Sequence, residues 1–453
     1  MDQIIQDING LVWSNALIIL ALGSGLYFSI RTRFVQIRLI GEMVRLLFIG
    51  KSSEKGVSSF QAFALAISGR VGTGNIAGVA TAIAMGGPGA LFWMWVIAFL
   101  GSASAYVEAT LGQIYKQEMD GQYRGGPAYY ILNGLKIKWF AYLFAGVTII
   151  STALLLPGVQ SNSIVAGLNL AFEVPTLTSA SFLVLMLGFI IVGGVKRISS
   201  VAEIVVPFMA VGYILMSLII IGVHFREIPE IFSLILSSAF GKEAAFGGIL
   251  GTTIAWGVKR GIYSNEAGQG TAPHAAAAAE VAHPAQQGLV QSFSVYVDTL
   301  LVCTSTGLMI LFTGQYNVLD PSGGFIIENL PGVDFGPEFT QLAIDSVIPG
   351  FGKSFVAIAL TFFAFTTIMA YYYIAETNVT FLAQEKRSSA AIWALRVVIL
   401  FAVFYGTIKS VSVAWDMGDI GVGLMAWLNF IAIILLRKPA LMALKDYELL
   451  RNR

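Results

Sequence analysis

Charge is what this sequence lacks most. Of 453 residues only 12% are Asp, Glu, Lys or Arg, whereas 56% are hydrophobic and the mean hydropathy is +0.77. A soluble domain of that size needs roughly a quarter of its residues charged to cover its surface, so the shortage excludes a soluble globule and points to a polytopic membrane protein. The formal net charge is +1, with the bases scattered between apolar runs, which leaves no basic face for nucleic acid. Cysteine is nearly absent: Cys303, inside an apolar run, stands alone, so neither an internal disulfide nor a cysteine-based metal site can form. The N-terminus also lacks a basic leader, and its first apolar run ends in Arg31 and Arg33 rather than a small-residue cleavage site, so that run is expected to remain as a membrane anchor. His224, His274 and His283 show no metal-ligand spacing.

What the chain has in abundance is long apolar stretches. A spanning helix needs about 20 mostly apolar residues. Eleven stretches fit, at 14–30, 59–84, 89–115, 138–171, 176–195, 200–222, 245–282, 286–314, 352–382, 389–408 and 417–437. The expected fold class is therefore an all-α polytopic membrane protein with about 11 transmembrane helices. The fourth stretch is too long for one straight span and contains Pro157-Gly158, which predicts a kink.

Lys and Arg set the orientation. Nineteen bases fall on one side: Arg31, Arg33, Arg38, Arg45, Lys51 and Lys55, then Lys116, Arg124, Lys136 and Lys138, then Lys196, Arg197, Lys386 and Arg387, then Arg437, Lys438, Lys445, Arg451 and Arg453. The opposite connections hold Arg226, Lys242, Lys353 and Lys409, and the longest of them (315–351) is acidic. The positive-inside rule then puts the N-terminus outside and the C-terminus in the cytoplasm. The connection near His283 carries no base although this arrangement makes it internal.

Two of the stretches are interrupted by polar residues and glycine. The first reads Ser68-Gly-Arg-Val-Gly-Thr-Gly-Asn-Ile-Ala-Gly-Val-Ala-Thr-Ala82; 190 residues downstream, Arg260, Asn265, Ala267, Gly268, Thr271 and Ala272 repeat the register of Arg70, Asn75, Ala77, Gly78, Thr81 and Ala82. Two hydrophobic segments broken at corresponding places point to a transporter's binding site. They are the second and seventh spans, so their equivalent residues enter the membrane from opposite faces. The chain then divides into an extra N-terminal helix (14–30), a repeat at 59–222, an inverted repeat at 245–437 and a cytoplasmic tail at 438–453.

A helix broken in hydrocarbon exposes backbone groups that cost several kcal/mol each when unpaired, so breaks survive only where they line protein or a water-filled cavity. At 70–75 the glycines permit unusual dihedrals. Freed carbonyls such as that of Val71 can coordinate a cation, and the amides opening the second half-helix, around Gly72, Thr73 and Gly74, favour a carboxylate. Thr73 and Asn75 add hard oxygens. The combination suits a zwitterionic amino acid beside a cation. Close packing through small residues accounts for the glycines but not for Arg70 or Asn75. Gly72-Thr-Gly74-Asn-Ile-Ala77 also matches a dinucleotide-binding pattern, but the acidic residue needed about 20 positions on is missing, that region reading Phe92-Trp-Met-Trp95, and no βαβ unit surrounds it.

Further polar groups lie at depth. Lys259, Arg260, Ser264, Asn265, Glu266 and Gln269 in the second break are too polar for lipid, and Glu266 either neutralises a neighbouring base or serves the site. Asp298, inside the eighth span, is functional by default, through pairing with Arg70, Lys259 or Arg260 or through a cation. Arg70, Arg260, Glu266 and Asp298 are thus candidates for an intramembrane charge network. In the ninth span Phe363, Thr367 and Tyr371 recur on one helical face, with Thr366 beside them, although a helical threonine often bonds its own backbone carbonyl. Gln160 and Asn162, past the Pro157 position, are similar candidates.

The run Gly86-Gly-Pro-Gly-Ala-Leu-Phe-Trp-Met-Trp-Val-Ile-Ala-Phe-Leu-Gly101 resembles the signature of the alanine/glycine:cation symporter family. The likeness extends over nearly the whole chain, including Val71-Gly-Thr-Gly-Asn-Ile-Ala-Gly78, Gly257-Val-Lys-Arg-Gly-Ile-Tyr-Ser-Asn-Glu-Ala-Gly268 and Phe362-Phe-Ala-Phe-Thr366. Read alone, Trp93 and Trp95 are interfacial anchors. The resemblance implies a leucine-transporter-type fold that couples inward sodium movement to uptake of alanine or glycine. It implies Thr73, Asn75, Thr366 and Thr367 as cation candidates, and the backbone at 72–75 and 264–268 as the substrate's support. Thr367 and Tyr371 then line the pocket; several family members carry Trp where this chain has Tyr371.

The expected function is a secondary active symporter for a small neutral amino acid in a bacterial-type plasma membrane, with sodium as coupling ion and no organic cofactor. Proton coupling or a broader substrate range, glutamine or serine included, is the alternative. An ion channel needs no inverted repeat with two breaks. A membrane enzyme needs paired carboxylates, a histidine cluster or an activated nucleophile, and the sequence offers none of these.

Overall fold

The computed structural model describes residues 2–49, 52–119, 121–242, 249–383 and 389–451. Lys51, Lys386, Arg387, Arg453 and the expected start of the second repeat at 245 lie outside the described residues. Among the described residues, eight helices are long and apolar enough to cross a membrane. Two broken helices and a 16-residue helix, Thr176–Ile191, complete the expected eleven.

The first span is Asp2–Val12 followed by Asn15–Arg31, so the helix starts earlier than hydropathy alone indicates. The second is Ser59–Arg70, broken and resumed through a π turn at Gly74–Gly78 into Val79–Gly86. A capping box opens it: Ser58 Oγ accepts the Gln61 amide and Gln61 Oε1 accepts the Ser58 amide, both at 3.1 Å, satisfying two end donors. The third span is Ala90–Ile114, the fourth Lys138–Phe172, the fifth Thr176–Ile191 and the sixth Gly194–Val223. The seventh is Leu250–Asn265, broken and resumed at Ala272–Ala278. Pro284–Thr313, Gly352–Ala383, Ser389–Thr407 and Val411–Leu435 follow, and then a tail helix, Arg437–Arg451.

The fourth span runs as one helix, Lys138–Phe172, and Pro157 follows a π turn at Ser151–Leu155, the combination at which a helix bends. One expectation needs correcting. Lys196 and Arg197 sit in the first turns of the sixth helix rather than in a loop. The only strands among the described residues form two short hairpins, Gln117–Met119 with Gln122–Arg124 and Asn317–Leu319 with Phe325–Glu328.

The base-free connection at His283 has a local explanation. His283 Nδ1 accepts the Ala285 amide at 3.1 Å, Pro284 starts the helix, and Val57 pairs with Ala278 and Glu280 through two backbone bonds of 2.9 Å. This connection is pinned to protein, so it needs no basic anchor.

The third span packs against the eighth, the fourth against the ninth and the fifth against the tenth. These three helices of the first half thus meet their counterparts in the second, as a two-fold axis in the membrane plane would arrange them. Both broken helices lie inside this frame, with residues 62–80 and 257–279 buried throughout.

Candidate functional site

At the first break the helix ends because Gly72 turns its amide away. Its N–H donates to Asn75 Oδ1 at 2.8 Å, so Ser68 O loses the donor a continuous helix would supply. Val71, extended at φ −78° and ψ 91°, directs its carbonyl out of the helix as well. Thr367 of the ninth span meets both: its Oγ1 lies 2.8 Å from Ser68 O, 3.4 Å from Val71 O and 3.0 Å from Phe363 O. A hydroxyl has one proton and can satisfy one of the three. The result is a buried knot of acceptor oxygens with too few donors, the ligand type a small hard cation takes. Thr366, by contrast, donates to Phe363 O of its own helix at 2.9 Å; adjacent helical residues point about 100° apart, and the structure brings Thr367 rather than Thr366 to the break.

Beside this knot, the Thr73 N–H and Oγ1 both donate to Gln160 Oε1, at 3.0 and 2.8 Å. A Cβ on Gly72 would fall inside the Thr367 hydroxyl and 3.0 Å from Gln160 Oε1, so only glycine fits between them. Tyr371 is buried near Gln160. Phe363 packs on Tyr213 of the sixth span, 5.4 Å between ring centroids. Asn162 holds Gly406 O at 3.0 Å and Lys409 O at 2.8 Å and serves helix packing.

Asp298 links the two broken helices. Its Oδ1 accepts from Asn75 Nδ2 at 2.6 Å, its Oδ2 from Thr299 at 2.7 Å, and Ser264 Oγ stands 3.0–3.1 Å from both oxygens. Thr306 donates to Asn75 O at 2.6 Å. A π turn at Tyr296–Cys303 carries Asp298 inward. No ion pair among the described residues joins it to Arg70, Lys259 or Arg260.

The second break is built differently. Leu250–Asn265 ends with Glu266 in the left-handed region at φ 54°, and Gly268 and Gly270 follow at φ 82° and 90°. Asn265 caps locally, its Oδ1 accepting the Ala267 amide at 3.0 Å, and it reaches Thr299 at 3.3 Å. Glu108, from the third span, accepts the Gly268 and Gly270 amides at 3.1 Å each and Asn429 Nδ2 at 2.7 Å. Within the 264–268 backbone expected to support substrate, the Gly268 amide is held by a resident carboxylate.

The four charged candidates separate into two groups. Arg260 is bidentate to Asp419, at 2.7 and 3.0 Å, and Lys259 shares that carboxylate at 2.7 Å. Trp256 and Trp415 face the guanidinium at 5.0 and 4.4 Å. This cluster borders a cavity of about 440 Å³ that opens on the face holding the N-terminus. Arg70 instead lies on the far side of the break. Its Nη1 donates to Gln291 O at 3.0 Å and contacts Ser294 Oγ, while Nε and Nη2 have no hydrogen-bond partner among the described residues. Glu266 Oε2 accepts from Thr271 at 2.8 Å and packs over Gly69. The structure thus groups Arg70 with Glu266, Glu108 and Asp298 as its acidic surroundings, and assigns Arg260 to Asp419.

Sequence reasoning passed over Glu108, Asp419, Thr299 and Ser68. Glu108 and Asp419 carry a usable signal, a carboxylate within an apolar helix. Ser68 contributes a backbone oxygen, for which side-chain identity gives no signal.

A family model described as the sodium:alanine symporter family matches residues 1–453. The chain is 63% identical over 448 residues to the Bacillus subtilis (strain 168) protein YrbD, covering 99% of this chain and 93% of that one. It is 55% identical over 412 residues to the sodium/proton-dependent alanine carrier protein of Bacillus sp. (strain PS3), covering 90% and 91%. Among solved structures it resembles MhsT in complex with L-phenylalanine, with a TM-score of 0.58 at 16% identity, covering 88% of this chain and 99% of that one. That likeness gives the fold.

Proposed function

Because the chain belongs to the sodium:alanine symporter family, we propose that it imports alanine, and glycine beside it, by coupling each to inward movement of sodium between two inverted repeats at 59–222 and 245–437. It is a transporter and not an enzyme. The observation that carries the reading is the oxygen knot of Ser68 O, Val71 O and Thr367 Oγ1 directly beside the Gly72 and Thr73 backbone. Sodium completes the knot. The substrate carboxylate displaces Gln160 from the Thr73 N–H, and Tyr371 limits the side chain to about a methyl group. Asp298, with Asn75, Ser264 and Thr299, forms a second anionic cluster between the two breaks. Its negative charge favours a cation and ties sodium occupancy to the relative position of the broken helices.

Energetically, one cation crossing 100 mV releases about 2.3 kcal/mol, and each 1.4 kcal/mol is tenfold in a ratio. One sodium therefore supports roughly fortyfold accumulation before its own gradient is added. The name of the Bacillus sp. relative includes the proton, and buried Glu108, Glu266 and Asp298 make proton coupling the second reading. The distribution of bases supports an external N-terminus and a cytoplasmic tail helix in a bacterial plasma membrane.

Purified protein in proteoliposomes with an imposed sodium or proton gradient tests both readings. Concentrative alanine uptake is expected with an inward sodium gradient alone, inhibited by excess glycine and not by leucine. Uptake driven only by a proton gradient would replace sodium with the second reading, and block by leucine but not glycine would sink the substrate assignment. In a Cys303→Ser background, Ser322→Cys should react with an impermeant reagent from outside and Lys55→Cys should not; the reverse labelling inverts the topology.

A further inference from the structure

At the junction of the first span and the tail helix, five bases border two neighbouring cavities. One, of about 310 Å³, lies between the end of the first span and the tail helix and is lined by Arg31, Arg33, Arg38 and Lys445 with a single carboxylate, Glu448. Arg38 uses that carboxylate, at 2.6 Å. None of the ion pairs among the described residues involves Arg31, Arg33 or Lys445, so the cavity holds an uncompensated positive charge of about three.

The other cavity is an apolar groove of about 480 Å³ between the first and eleventh spans, lined by Leu20, Tyr27 and Ile434 and ending at Arg437. The two adjoin along both walls. Tyr27 of the groove and Arg31 of the basic cavity are one helical turn apart on one face of the first span. Arg437 and Leu441 stand in the same relation on the tail helix. A step of four residues is about 6 Å along a helix and returns to the same face. Both walls are fixed: besides Arg38–Glu448, Tyr447 contacts Glu42 and His283 bonds Asp446 at 3.2 Å.

We propose that this junction is a binding site for one anionic phospholipid, its acyl chain along the groove of the first and eleventh spans and its phosphate against Arg31, Arg33 and Lys445. Charge and polarity together select the occupant. A free phosphate leaves the apolar groove empty, and a zwitterionic lipid brings a choline cation into a cavity that already holds unpaired bases. Basic pockets at the ends of transmembrane helices take anionic headgroups by this logic. The site is independent of the transport cycle proposed above.

The full chain in detergent, given phosphatidylglycerol or phosphatidylcholine with identical acyl chains, tests this by native mass spectrometry. The wild type is expected to retain one phosphatidylglycerol in preference to phosphatidylcholine. Each base near an anionic group is worth about fivefold in binding, so Arg31→Gln/Arg33→Gln/Lys445→Gln should lower that preference on the order of a hundredfold, and Arg33→Gln alone about fivefold if the triple variant does not fold. Leu20→Trp, filling the groove, should weaken both lipids. Equal retention of the two lipids by the wild type, or an unchanged preference in the variants, overturns the proposal. Displacement of the bound lipid by glycerol phosphate at equal concentration also overturns it, since that result describes a site for a soluble anion.

Discussion

Gly72→Ala is the most exacting perturbation of the site, because the atoms a methyl group would meet are all identified. The new Cβ would occupy the space of the Thr367 hydroxyl and approach Thr367 Cβ at 3.2 Å and Gln160 Oε1 at 3.0 Å. The hydroxyl must rotate off, losing its contacts with Ser68 O at 2.8 Å and Phe363 O at 3.0 Å. A net intramolecular hydrogen bond is worth about 0.5–1.5 kcal/mol and an off-rotamer side chain costs about as much. A total of about 1–3 kcal/mol corresponds to roughly fivefold to 150-fold in a binding constant. The assay is the sodium dependence of alanine uptake in proteoliposomes, with the half-saturating sodium concentration expected to rise by that factor while uptake at saturating sodium survives. The reasoning is tested by a double-mutant cycle with Thr367→Ala. With the hydroxyl already gone, Gly72→Ala should cost several-fold less than it does in the wild type. The same fold-effect in both backgrounds would falsify the clash argument, since additivity means that the two residues do not meet through that oxygen.

Three further outcomes are expected. Thr367→Ala should raise the half-saturating sodium concentration by about tenfold and Thr366→Ala by much less, because Thr366 is bonded to its own helix; equal effects in sodium-titrated uptake would place the cation elsewhere. Glu108→Gln replaces one acceptor oxygen with an amide facing Gly268 N or Gly270 N, which strands a buried N–H at about 1–3 kcal/mol. Its thermal unfolding midpoint in detergent should fall, and an unchanged midpoint would mean that water reaches the break. The buried pair Arg124–Glu376, 2.9 Å apart, joins the hairpin of Gln117–Met119 and Gln122–Arg124 to the ninth span. Breaking one partner of such a pair costs about 3–5 kcal/mol, so Arg124→Ala should expose Ala277→Cys to thiol reagents from the basic face, and the charge-swapped double variant should protect it again.

How far the sequence revealed this architecture depended on whether a feature is local. The two breaks were legible because glycine, arginine and asparagine recur in register within apolar runs, and Asp298 because a carboxylate in mid-span demands a reason. Glu108 bears the same mark, but its partners lie 160 residues downstream and are amides of glycine, which no side-chain pattern announces. Thr366 and Thr367 could not be told apart, since choosing between neighbours requires the phase of a helix against its partner. Arg260 repeats Arg70 in sequence, yet its counter-ion Asp419 comes from the eleventh span, so the repeat in sequence does not extend to the pairing.

Glu108 also gives the duplicated fold a chemical asymmetry. Each break frees backbone amides inside the helix bundle, so the chain has two places where a carboxylate can be held. At the second, the carboxylate belongs to the chain itself and Asn429 completes its shell. A tethered carboxylate competes at high effective concentration, whereas at the first break the Thr73 amide meets only the neutral side chain of Gln160, a weaker acceptor than a carboxylate. On the function proposed above, the carboxylate of the cargo therefore finds one break open to it rather than two, a difference made by Glu108 and not by the repeat itself.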